Sequence, residues 1–218
     1  MNCAICEKRR EKRFCPAVHG RICPQCCGEQ REVTLDCPSD CVYLLQARQH
    51  EKPRPMEELD PALLFPRIDV PEHFLYEHEH LIVGITYALA KSARRERTLT
   101  DADLIAALTS MAKSYETLAN SGLHYETPVT SVTRQGVLAE IQQLLKEYRE
   151  TEQNHLGYSR LRDNDILQAL VFLVRMGHGR TSGRPKARAF VDFVLAQFPE
   201  KQSGIAAPEE ASSRIIVP

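Results

Sequence analysis

The sequence predicts a mainly α fold: a small cysteine-rich module at the amino end, followed by an antiparallel bundle of about five helices. Three observations carry that expectation. All eight cysteines of the 218-residue chain lie between Cys3 and Cys41. From Pro71 onward apolar residues recur at helical spacing, and no alternating strand pattern competes there. Between the two halves, residues 51–71 hold five prolines, too many for a helix interior. The organisation expected is a module over 1–50, a linker over 51–71, a bundle over 72–200 and a flexible tail over 201–218.

The cysteines run Cys3-x2-Cys6, Cys15, Cys23-x2-Cys26 with Cys27 adjacent, and Cys37-x3-Cys41. Each short knuckle folds back within a few residues, so both of its sulfurs can reach one ion at about 2.3 Å. The larger apolar residues of this stretch are few: Ile5, Phe14, Val18, Ile22, Val33 and Leu35. A segment so poor in core needs metal to fold, and thiolate-rich tetrahedral sites suit zinc. Eight thiols divide into two four-cysteine sites, which implies two Zn2+ ions. An iron-sulfur cluster and a zinc site that oxidises as a thiol-based redox sensor are the alternatives. A disulfide framework is disfavoured, because the chain reads as cytoplasmic.

His19 offers a second arrangement of the same stretch. With it the order becomes Cys3-x2-Cys6, Cys15-x3-His19, Cys23-x2-Cys26, Cys37-x3-Cys41, which resembles the cross-brace zinc fingers of the RING and HIT type. The resemblance implies a small treble or cross-brace fold in which the first and third pairs hold one ion and the second and fourth hold the other. Two features depart from it: the last pair has three intervening residues where RING has two, and Cys27 is left over. The candidate ligands are therefore Cys3, Cys6, Cys15, Cys23, Cys26, Cys27, Cys37 and Cys41, with His19 as the alternative to Cys27.

Prolines follow Cys15, Cys23 and Cys37, fixing the backbone where knuckles turn. Cys37-Pro38-Ser39-Asp40-Cys41 reads as a helix start that continues to Gln49, placing Cys37 and Cys41 one turn apart on one face. The loop Lys8, Arg9, Arg10, Glu11, Lys12, Arg13, with Arg21 nearby, supplies candidate phosphate contacts for nucleic acid. A solvated loop is the plainer alternative. Phe14 is the one aromatic residue close by, so stacking on single-stranded bases is not supported.

The linker also carries Leu59, Leu63, Leu64, Phe65, Ile68 and Val70, which would lay it as a belt on the helical surface and hold the finger at a set distance. Helices are expected from Glu72 to about Arg95, from Thr100-Asp101-Ala102-Asp103 to Asn120, from about Thr133 to Gln153, from Asp163 to Gly177-His178-Gly179, and from Arg184-Pro185 to Phe198. Leu123 to Val132 reads as a loop. The fourth helix is apolar nearly all round and belongs in the middle. Arg180 and Arg184 are candidate binding cations on the loop that follows it.

A net charge of -1 points to no nucleic-acid or membrane partner at the level of the whole chain. Cys3 follows Met1 too closely for a secretory leader, and the longest apolar run is too short to span a bilayer. Phosphate loops, nucleophile elbows and His-Glu-x-x-His are absent from the sequence. Glu77-x2-His80 and Glu152-x2-His155 have the spacing of di-iron bundles without the further glutamates such sites need. The function expected is a non-enzymatic adaptor or regulator. Its partner would be a protein, with nucleic acid as the second class and a homodimer interface on the bundle as a further option.

Overall fold

Local sequence chemistry accounts for most of the element boundaries in the computed structural model, which describes residues 2–51, 55–122 and 131–199. The tail expected over 201–218 and most of the loop expected from Leu123 lie outside the described residues. The amino-terminal part holds a short antiparallel hairpin, β1 (Arg13–Cys15) and β2 (Gly20–Ile22), then α1 (Pro24–Gln30) and α2 (Val42–His50). Two short 3-10 turns, Met56–Glu58 and Pro61–Leu64, lead to α3 (Glu72–Glu77), α4 (Glu79–Arg95), α5 (Asp101–Ser121), α6 (Val132–Leu156), α7 (Asp163–Arg180) and α8 (Ala189–Gln197). The chain is mainly helical, as its sequence predicts.

The capping chemistry of α5 is the expected one. Thr100 and Asp103 exchange backbone-to-side-chain hydrogen bonds of 3.2 and 3.3 Å, and Gly122 ends the helix in a left-handed conformation at φ 69°. Ser131 opens α6 and Gly157 closes it at φ 79°. α5 packs along α7 and α6, while α4 packs against α6, α8 and α7. Ile166, Leu167, Leu170, Val171, Leu173 and Val174 of α7 are all buried, as its all-round apolar character requires.

Four boundaries differ from expectation. The first helix is broken at His78 (φ -114°, ψ 24°), whose ring stacks on buried Phe74 at 4.5 Å; no proline or glycine announces the break. α7 runs on through Gly177 and Gly179 to Arg180. Gly177 is there for space, since a Cβ would lie 2.8 Å from Ile105 Cγ1 and 3.1 Å from the Phe190 ring. Arg184-Pro185 opens no helix: it forms a turn with proline at its second position, closed by Ala187 N donating to Arg184 O at 3.0 Å, and α8 begins at Ala189. Likewise Cys37 lies on no helix, because α2 starts at Val42 with Cys41 as its N-cap residue.

The linker lies on the bundle as a belt. Arg175 on α7 donates to the carbonyls of Leu64, Phe65 and Ile68 at 2.9, 2.9 and 2.7 Å, and Gln168 donates to Asp69 O at 2.8 Å. The finger is not held off at a distance, however; it docks directly on the turn between α7 and α8. Arg184 Nη1 donates to Gly28 O and Arg31 O at 3.1 and 2.7 Å, and Lys186 N donates to Glu32 O at 2.8 Å. Lys186 Nζ reaches Thr34 O and Asp36, both at 2.9 Å. Arg48 of α2 bridges Glu32 (2.8 Å) and Asp192 of α8 (2.7 Å).

Asp101 ties that turn to the helical core. It is fully buried, its N–H donates to Ala187 O at 2.8 Å, and its Oδ1 accepts from Phe190 N and Val191 N at 2.9 and 3.0 Å, capping α8 from the start of α5. Burial raises its pKa above the ordinary carboxylate value, although the bonds from Val191 and Phe190 pull the other way. Asp101→Ala should cost about 1–3 kcal/mol, while Asp101→Asn keeps the acceptor and loses less. The folded state holds the carboxyl proton to higher pH than the unfolded chain, so stability falls as pH rises through that interval in the native protein and not in Asp101→Asn. Urea unfolding across a pH series measures both effects. Gly177→Ala should lower stability by about 1–3 kcal/mol through its collision with Ile105 and Phe190, read in the same assay.

Candidate metal centre

Two distant knuckles meet in the finger. The chain turns back at Glu7 (φ 54°), with Glu7 N donating to Cys3 O and Cys3 N to Arg9 O at 2.9 and 2.8 Å, and Ala4 N is stitched to Arg21 O on β2 at 2.9 Å. The hairpin then delivers Cys23 as the N-cap residue of α1, with Pro24 at the first helical position and Cys26 in the first turn. The consequence is convergence: the sulfurs of Cys3, Cys6, Cys23 and Cys26 all lie within 4.8 Å of one another. Sulfurs at about 2.3 Å from a tetrahedral zinc are separated by about 3.8 Å, so a contraction of at most about 1 Å would complete the site.

Backbone donors aim at these sulfurs. Cys23 N donates to Cys3 Sγ at 3.2 Å and Cys26 N to Cys23 Sγ at 3.4 Å. Burial opposes ionisation of Cys3, but N–H groups of Cys6, Cys23 and Ile5 outweigh it and bring that thiol down to about 6. Cys23 is lowered, chiefly by the Cys26 N–H. Cys26 goes the other way, pushed up to about 12 by burial and by the neighbouring cysteines. Four crowded sulfurs thus resist joint ionisation unless a cation joins them, and a divalent ion meets that need. The donor set and its outer N–H groups fit zinc.

Cys15, Cys27, Cys37 and Cys41 are not drawn together in this way. Among the described residues, Cys3, Cys6, Cys23 and Cys26 form the one group of His, Cys, Asp or Glu ligands close enough to share an ion. The other four do line one small cavity, with Ile22, Leu35 and Leu44. Cys37 is raised by burial and by the proximity of Cys15 and Cys41. Arg31 lines the same cavity, and its buried Nε and Nη1 have no hydrogen-bond partner. His19 is an exposed residue of the hairpin turn, at φ 49°, and is not among those lining the cavity. Neither Glu77 and His80 nor Glu152 and His155 take part in a metal-sized cluster among the described residues.

The cations of the basic loop are partly engaged within the finger. Arg9 is held by Cys23, and its charge also faces Cys6 and Cys26. Arg13 lies over the Tyr43 ring at 4.6 Å, and Arg21 pairs with Glu11 at 3.3 Å. Lys8, Arg10 and Lys12 are exposed. On the bundle, Arg180 stacks on Phe193 at 3.6 Å and Arg184 is spent on finger carbonyls. Nothing in the loop sequence marked Arg9 as a partner of sulfur. No helix among the described residues is long and apolar enough to cross a membrane. Comparison with protein-family models, curated proteins and solved structures finds no match to this chain.

Arg9 offsets negative charge on the first cysteine group, so its loss should expose the thiolates to attack. Arg9→Ala should release zinc about tenfold faster under mild peroxide, followed with a colorimetric chelator.

Proposed function

We propose that the protein is a zinc-binding, non-enzymatic adaptor whose first 50 residues form a cross-brace finger with two ions, and whose antiparallel helical bundle presents that finger to a protein partner. The observation that carries it is the Cys3, Cys6, Cys23, Cys26 cluster, in which four thiols saturate a tetrahedral ion and leave no open position for substrate. Pairing of the first and third knuckles is the cross-brace order. Cys15, Cys27, Cys37 and Cys41 take the second ion, a reading supported by the cavity they share with Arg31 and by the unpartnered Nε and Nη1 of that residue, which the anionic charge of four metal-bound thiolates would satisfy.

α1 presents Cys26 to one group and Cys27 to the other from adjacent positions. Binding at structural zinc sites of this kind is worth about 10–16 kcal/mol, more than the thin core of the finger supplies. Exposed Phe14, Val42 and Leu45 on the finger are the apolar contacts offered to a partner. Nucleic-acid binding through the basic loop is the weaker reading, because Arg9, Arg13 and Arg21 already have partners in the finger.

Metal analysis of protein purified without chelator should give two zinc per chain, falling to one in Cys6→Ser and to one in Cys37→Ser. His19→Ala should leave the count at two. A native count of one that Cys37→Ser leaves unchanged would remove the second ion, and a count of zero would remove the adaptor reading.

A further inference from the structure

We propose that metal at the Cys15, Cys27, Cys37, Cys41 group acts as a latch: it fixes the segment between Cys27 and Cys37 in the shape that docks on the turn between α7 and α8, and metal loss frees the finger from the helical domain. The latch rests on the two-ion reading above.

The described hydrogen bonds between that turn and the finger converge on residues 28–36, the stretch bounded by the two cysteines. Arg184 takes Gly28 O and Arg31 O, Ser182 takes the Glu32 carboxylate, Lys186 N takes Glu32 O, and Lys186 Nζ takes Thr34 O and Asp36. Most of the acceptors are backbone carbonyls, so recognition depends on the path of the segment more than on its side chains. That path is not one the segment adopts by default. Glu32 sits at φ 54°, a conformation that disfavours any side chain, and it is nearly fully buried.

Arg31 connects the two sides. Arg31 lines the cysteine cavity and its buried Nε and Nη1 have no hydrogen-bond partner, while its carbonyl accepts from Arg184 at 2.7 Å. A metal-thiolate centre would hold the guanidinium at one end of the residue and thereby the acceptor at the other. With Cys27 and Cys37 released, the segment regains backbone entropy that a handful of partly exposed hydrogen bonds does not offset. The rest of the bundle has its own core, so undocking should stay local.

Hydrogen-deuterium exchange on the full chain tests this, with zinc counted in every sample. Zinc-loaded protein is compared with protein stripped by chelator under reducing conditions, with Cys37→Ser, and with Arg184→Ala. Stripping and Cys37→Ser should each speed exchange across 181–188 by about tenfold or more while the cores of α5 and α7 keep their protection. Arg184→Ala should give the same local acceleration with both zinc ions retained, which identifies the docking contact as the element that opens. If Cys37→Ser lowers the count from two to one and 181–188 stays protected, the latch is wrong and the two-ion reading stands. If the native count is one and Cys37→Ser leaves it unchanged, the two-ion reading fails and takes the latch with it.

Discussion

Four sulfurs held within 4.8 Å, three of them on buried cysteines, set the terms for everything at the amino end. Ionised thiols at that range repel strongly where water is scarce, and neutral ones gain little from one another. The split between Cys3, lowered to about 6, and Cys26, raised to about 12, is the signature of that frustration. A divalent cation held by the four sulfurs would resolve it. Short strands and the buried side chains of Ile22, Leu35 and Leu44 would otherwise be asked to close a finger whose two halves are joined by little else.

The finger and the bundle are coupled through carbonyls and three acidic residues, Asp36 among them, which accepts from Lys186 Nζ. Glu32 gathers Arg48, Ser182 and the Lys186 backbone, and Asp192 gathers Arg48 and Ser39. Asp101 carries the connection inward, since it anchors the Ala187 end of the same turn and caps α8. The cysteine-rich end is thereby fastened to the hydrophobic core of the helices.

Helix content was legible because burial of one face imposes a period on sequence. The α5 start at Thr100 and Asp103 and its end at Gly122 are local chemistry, readable within a few residues. The missed boundaries have longer-range causes. His78 breaks the first helix with no local breaker, as buried Phe74 stacks against it, and Gly177 looks like a stop signal although it is a contact site for Ile105 and Phe190. Arg184-Pro185 reads equally well as a helix start or a turn, and the finger docked on it goes with the turn.

The cysteine spacing by itself determined that the amino end is a thiolate site, because Cys-x2-Cys knuckles are short enough to bring their own sulfurs together. Spacing within a knuckle does not choose its partner; the pairing of the first and third knuckles is implied only by the cross-brace resemblance. Only the tertiary structure brought Cys3 and Cys6 to Cys23 and Cys26, set Cys27 and Arg31 on the remaining cavity with His19 outside it, and put Arg9 beside sulfur. The physical reason is that pairing between knuckles is set by the hairpin and by α1, whose hydrogen bonds join residues about twenty positions apart. Spacing within a knuckle carries no trace of them.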